Sequence, residues 1–109
     1  MSGNIFSPIE IKHVGRAIET INIEGYPSKR KSTSYDLIHD GKAYPPKYVM
    51  SLAGYFANEN FLSHKLFHGG PKKECFRILE NFGYKILPKT ESGQYQNAKK
   101  VSEDIHLKY

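Results

Sequence analysis

Apolar residues recur along this chain with a period near 3.6 in three stretches and alternate in two shorter ones. Ile11, Val14, Ile18 and Ile21 lie three or four positions apart and form one apolar face, which predicts a first helix. Ser7 as N-cap, Pro8 at the first helical position and Glu10 three residues after the cap make a capping-box signature, and Gly25 marks the end. The following YPSKRKSTS has no apolar period and reads as an exposed basic loop. Tyr35 to Ile38 predicts a short strand, Asp40-Gly41 a type I′ hairpin turn, and Ala43-Tyr44 a second strand. Pro45-Pro46 then opens a second helix, to about Ala57, with Val49, Leu52, Ala53 and Phe56 as its buried stripe.

Asn58 to Asn60 break that helix, and FLSHKLF is left open between a short helix and an extended piece. A third helix is expected to open at Pro71, with Cys75, Ile78, Leu79 and Phe82 inward and Gly83 just past its end. Tyr84 to Leu87 reads as a closing strand that pairs with the hairpin, and Pro88 ends it. From Lys89 to Tyr109 the chain is polar and aperiodic. The expected architecture is therefore a compact α+β domain over residues 1–88. It has three helices packed on one face of a small, mainly antiparallel sheet, a hairpin–helix unit, and a polar tail or interdomain linker over residues 89–109.

Length and composition narrow the picture. At 109 residues the chain is one domain at most. Cys75 is its single cysteine, so neither an intrachain disulfide nor a multi-cysteine zinc site is available. No apolar run approaches the roughly 18 residues of a membrane span, and MSGNIFSPIEIK lacks the layout of a signal peptide. The chain is accordingly read as soluble and cytoplasmic. Lys and Arg number 16 against 11 Asp and Glu, a net charge of +5. The surplus sits mainly in residues 1–88, which hold 12 basic and 8 acidic groups. Such a balance favours a polyanionic partner.

No catalytic constellation can be assembled. The histidines His13, His39, His64, His68 and His106 are scattered; His64 and His68 lie four apart but lack an evident third ligand. Cys75 falls on the apolar stripe of a helix and reads as a structural thiol. Asp36, Asp40 and Lys42 superficially evoke a nuclease cluster, yet Asp40 is needed by the turn. The expectation is no catalytic residue, no metal and no cofactor.

What remains is a binding surface. Lys47 lies in the first turn of the second helix, at the positive end of the helix dipole, where a carboxylate is favoured. Lys72 and Lys73 follow Pro71 at the expected start of the third helix and repeat the arrangement in sequence. An outside phosphate could supply the missing negative charge, because a helix N-terminus also offers backbone amides. Gly69 and Gly70 would let the backbone approach that anion closely. The candidate DNA-binding set is Lys29, Arg30, Lys31, His39, Lys42, Tyr44, Lys47, Tyr48, Gly69, Gly70, Lys72, Lys73 and Arg77. Within it, His39 and Tyr44 flank the exposed turn and are the candidates for stacking on a base.

The string Tyr35-x-Leu37-x-His39-x-Gly41-Lys42-x-Tyr44-Pro45-Pro46-Lys47-x-Val49, then Ala53, Phe67-x-Gly69-Gly70 and Leu79-x-x-Phe82-Gly83-Tyr84-x-Ile86, resembles a known module. It is similar to the N-terminal head domain placed ahead of DNA-reading and HNH nuclease domains in McrA-type, modification-dependent restriction endonucleases. The likeness spans about residues 8 to 88. It implies a small α+β domain serving recognition of double-stranded DNA, with base-modified DNA a candidate, in a prokaryotic defence nuclease. It carries no catalysis over, because the nuclease of that family is a separate domain. Lys42, Lys47, Gly69 and Gly70 stand at positions of the family's pattern. A second class of function stays open: an interaction or assembly domain that docks onto nuclease domains, or onto another copy of itself, through Phe61, Leu62, Leu66 and Phe67. A small nuclease, or an inhibitor of one, is the third.

Overall fold

The structure, a computed structural model, describes residues 5–32 and 34–101. Helix α1 spans Ile11–Glu24 and buries Val14, Ala17, Ile18 and Ile21, each worth about 1.5–3 kcal/mol for the larger aliphatics. Ile11 stays exposed at 52%. The helix starts three residues later than its sequence signature suggests. Ser7 and Pro8 lie in a turn closed by the Ile9 N–H on the Phe6 carbonyl at 2.9 Å. Glu10 is the N-cap instead, and its N–H donates to His13 Nδ1 at 2.9 Å.

Strand β1 is the short Tyr26–Pro27, followed by a single 3₁₀ turn over Ser28–Arg30. Strands β2 (Tyr35–His39) and β3 (Lys42–Tyr44) form the expected hairpin, with His39 opposite Lys42. Both turn residues have positive φ, 50° at Asp40 and 77° at Gly41, which is the type I′ requirement. Helix α2 (Pro46–Asn58) follows immediately and is the centre of the fold. Its residues from Tyr48 to Ala53 are buried all round rather than along one stripe, because α1, α3 and the sheet each pack against it.

The ambiguous segment contributes Leu62 and Phe67 to the core and leaves Leu66 60% exposed; only His64–Leu66 is helical, as one 3₁₀ turn. Helix α3 spans Glu74–Asn81 and buries Cys75, Phe76 and Leu79. It does not open at Pro71. Gly70 to Lys73 form a turn, closed by the Lys73 N–H on the Gly70 carbonyl at 3.0 Å, and Lys73 is the N-cap. Strand β4 (Lys85–Pro88) pairs antiparallel with β2, as expected.

The polar segment after Pro88 is built into the fold instead of trailing from it. A helical turn, α4 (Lys89–Ser92), leads to β5 (Gln96–Asn97), which adds parallel to β3, and to β6 (Lys100–Val101), which pairs with β1. The main sheet thus has the order β4-β2-β3-β5 and is mostly antiparallel. On β2, Leu37 points to the helices and Asp36 to the opposite face, and both are buried. Asp36 lies under α4. It accepts hydrogen bonds from Ser92 Oγ at 2.6 Å and from Ser32 Oγ, and pairs with Lys89 Nζ at 3.2 Å. This cover is polar and main-chain bonded, so it leaves no apolar period in the sequence. Residues 102–109 of the expected tail lie outside the described residues, as does His106.

Candidate functional site

A cleft of about 410 Å³ opens where β2 and α2 begin and where the Gly69-Gly70 loop passes between them. Its lining brings together Lys29, Arg30, Lys31 and Lys47, and among the described residues it contains no Asp or Glu. These cations come from the basic loop and from the first turn of α2. Sequence separation hid their proximity.

Lys47 and Arg30 are held by neutral partners. Lys47 Nζ donates to the His64 carbonyl at 2.9 Å and lies 5.1 Å from the centroid of the Phe67 ring. Arg30 Nη2 donates to Ser51 Oγ at 3.0 Å, and the guanidinium sits 5.1 Å from the Tyr48 centroid and 5.8 Å from that of Phe61. Both distances fall within the reach of about 6 Å over which a ring face attracts a cation. Cations drawn partly out of water are ordinarily matched by a carboxylate. Here the partners orient the charges without cancelling them. Among the described residues, the ion pairs Lys12–Glu10 and Lys89–Asp36 and the contact of His39 Nε2 with Asp40 Oδ2 use neither group.

The electrostatic consequence appears in three side chains. Burial pushes the Lys47 ammonium below its ordinary range, and Arg30 adds to the shift. Burial likewise lowers Arg30, which keeps its charge because a guanidinium does not deprotonate in proteins. His64, though exposed, is held below the ordinary imidazole value chiefly by the charge of Arg30, then by desolvation and by Lys47, Lys65 and Lys29. Among the described residues, no carboxylate in the lining compensates the cleft's positive potential. The N-terminus of α2 adds to that potential, with Pro45 supplying no capping side chain and no acid in the first turn.

Gly69 makes the cleft floor possible. A Cβ there would stand 3.1 Å from Phe76 Cε1 and 3.4 Å from Lys47 Cδ, so glycine lets the loop lie close over both side chains. Gly70 has φ +130°, a conformation side chains rarely adopt.

The remaining candidates fall elsewhere. His39 and Lys42 sit at the hairpin tip, roughly 13 Å along β2 from Tyr35 at the usual strand rise. There His39 packs edge-on against Tyr84 at 5.4 Å, and Lys42 Nζ donates to Asn22 Oδ1 at 3.2 Å. Tyr44 and Tyr48 are core residues, 0% and 1% exposed, so neither offers a face to a base. The Tyr44 hydroxyl donates to Asn22 Oδ1 at 2.8 Å, and burial raises its pKa. Lys72 and Lys73 precede α3 rather than occupying its first turn, which holds Glu74, the sign a helix start favours. The apparent repetition of Pro-Lys at two helix tips is therefore not a structural repetition. Lys73 still lies beside the loop, its Cγ 3.5 Å from where a Gly70 Cβ would be, while Arg77 is exposed on α3.

Burial pushes the Cys75 thiol up to about 12, against a small opposing effect of Lys47, so it is inert as a nucleophile. Among the described residues no group of three His, Cys, Asp or Glu side chains is placed to hold a metal ion, and no helix is long and apolar enough to cross a membrane. The structure adds cleft residues that the candidate set lacks: Tyr35, His64 and Phe76. For Tyr35 a signal was present, because it shares a strand face with the inward Leu37.

Over residues 8–88 the sequence matches the ScoMcrA-like N-terminal head domain family. The chain belongs to that family. The family is one of head domains, not of catalytic domains, and every cleft residue lies inside the matched span. The match runs from just before α1 to the last residue of β4, leaving α4, β5 and β6 beyond it. No curated protein and no solved structure matches the chain.

Proposed function

We propose that this head domain is a non-catalytic DNA-binding module of a prokaryotic restriction or defence nuclease. It works in the cytoplasm and holds the sugar-phosphate backbone of double-stranded DNA, base-modified DNA included, at the cleft between the basic loop and the start of α2. One observation carries the reading: Lys47 and Arg30 are fixed by a carbonyl, a hydroxyl and aromatic faces in a cleft that no carboxylate among the described residues lines. Such positioning keeps their charge available to a phosphate. Lys29 and Lys31 extend the positive rim, and Lys73 adds to it beside Gly70.

The test is a fluorescence-anisotropy titration of labelled duplexes, unmodified and methylated, with the parent protein and two variants. Lys47→Met keeps the apolar stem and removes the charge. It is expected to weaken binding about tenfold, the size of one charge-assisted contact. Lys42→Ala, at the hairpin tip, is expected to change it less than twofold. The reverse ranking would move the site to the hairpin and refute the cleft. No binding by the parent at low salt would refute the module's function.

A further inference from the structure

We infer that the cleft, besides holding the backbone at its rim, receives one unstacked nucleotide, its base drawn out of a helix or from a single strand. The inference rests on the DNA-binding reading and specifies what enters.

The charge is concentrated in a concavity. About 410 Å³ falls within the range of roughly 300–1,000 Å³ typical of small-ligand sites. A duplex, whose major groove alone is about 12 Å wide, can lay backbone phosphates along the rim of such a mouth but cannot enter it. The interior then has no counterpart on duplex DNA.

Two aromatic residues, Tyr35 and Phe76, line that interior. Tyr35 is half-buried in the wall, and its ring meets Phe76 edge-on at 5.6 Å and 79°. Phe76 itself is only 4% exposed and is held under Gly69. Its edge contact fixes the Tyr35 ring, and Lys47 and Lys29 stand on the same cleft. An aromatic platform joined to a cationic rim is the arrangement by which proteins take single-stranded or extruded bases: the ring stacks and the cations hold the adjoining phosphate. His64 and Ser34 line the cleft as well and bring hydrogen-bonding groups to a base edge.

Binding is compared for three labelled probes of one sequence: a matched duplex, the same duplex with a central mismatch, and the single strand. The mismatch lowers the cost of unstacking, so both unpaired probes are expected to bind about tenfold more tightly than the matched duplex. Tyr35→Leu keeps apolar volume against Phe76 and removes the ring; it is expected to abolish that preference. Tyr35→Phe, which restores a ring, is expected to recover it. Circular dichroism of each variant confirms folding, and Gly69→Ala gives an independent test by pressing a methyl onto Phe76, the ring that holds Tyr35, with a reduced preference expected. Equal affinity for all three probes, or a preference that survives both Tyr35→Leu and Gly69→Ala, overturns the inference and leaves duplex binding standing. Absence of binding to every probe overturns the DNA-binding reading itself.

Discussion

At Lys47 the ammonium nitrogen meets a carbonyl and a phenyl face; at Arg30 the guanidinium meets a hydroxyl and two rings. Each contact recovers part of the desolvation cost, and neither supplies a negative charge. Lys47 was legible in the sequence because a lysine in a first helical turn carries the disfavoured sign. Arg30 was not legible as an anchored residue, since Ser51 and Phe61 meet it only through the fold. The tyrosines misled for the opposite reason. Tyr44 and Tyr48 border an exposed turn and a helix start in sequence, yet β3 and α2 both turn those positions inward.

His64 gives these charges a pH signature. Arg30 and its neighbours hold it below its ordinary 6.5, so in the free protein it stays neutral further into acid than usual. The unfolded chain therefore binds that proton first. His64 contributes stability above about 6.5 that is lost as pH falls toward the lower folded value. A bound polyanion offsets the positive field and raises the folded value again, so binding takes up a proton in that window. DNA affinity is expected to increase from pH 7 to pH 5.5 and to increase less in His64→Gln. Parallel pH profiles for the two proteins, measured by anisotropy, would contradict it.

Among the elements, the hairpin and α2 followed from local chemistry: an Asp-Gly turn and a proline at the first helical position leave few alternatives. The start of α3 did not, because Gly70-Pro71 also suits a turn, and the turn won. The segment from Lys89 to Val101 was illegible for a different reason. It joins the sheet through main-chain bonds, such as the Ala98 N–H on the Ala43 carbonyl at 2.8 Å, and through polar side chains on Asp36. Neither leaves a hydrophobic period. Ending the chain after Pro88 removes Ser92 and Lys89 from a buried carboxylate and unpairs the edge of β3. That truncation is expected to cost about 2–3 kcal/mol in urea unfolding. A truncated chain as stable as the parent would show that this cover is not part of the folded unit.

On the scale of the whole molecule, the α+β class and the mainly antiparallel sheet were readable from periodicity, and the +5 charge hinted at a polyanion. What the charge total could not convey is where it collects: a cleft lined, among the described residues, by no carboxylate and fed by two segments that only tertiary packing brings together. The salt dependence of duplex binding tests this directly. Each phosphate neutralised contributes about 0.9 to the slope of log Kobs against log salt. Replacing Lys29 and Lys31 by Gln and Lys47 by Met, in one folded variant, is expected to reduce that slope by about 2 to 3. A variant that keeps both the parent's slope and its affinity would mean that DNA is held somewhere other than the cleft.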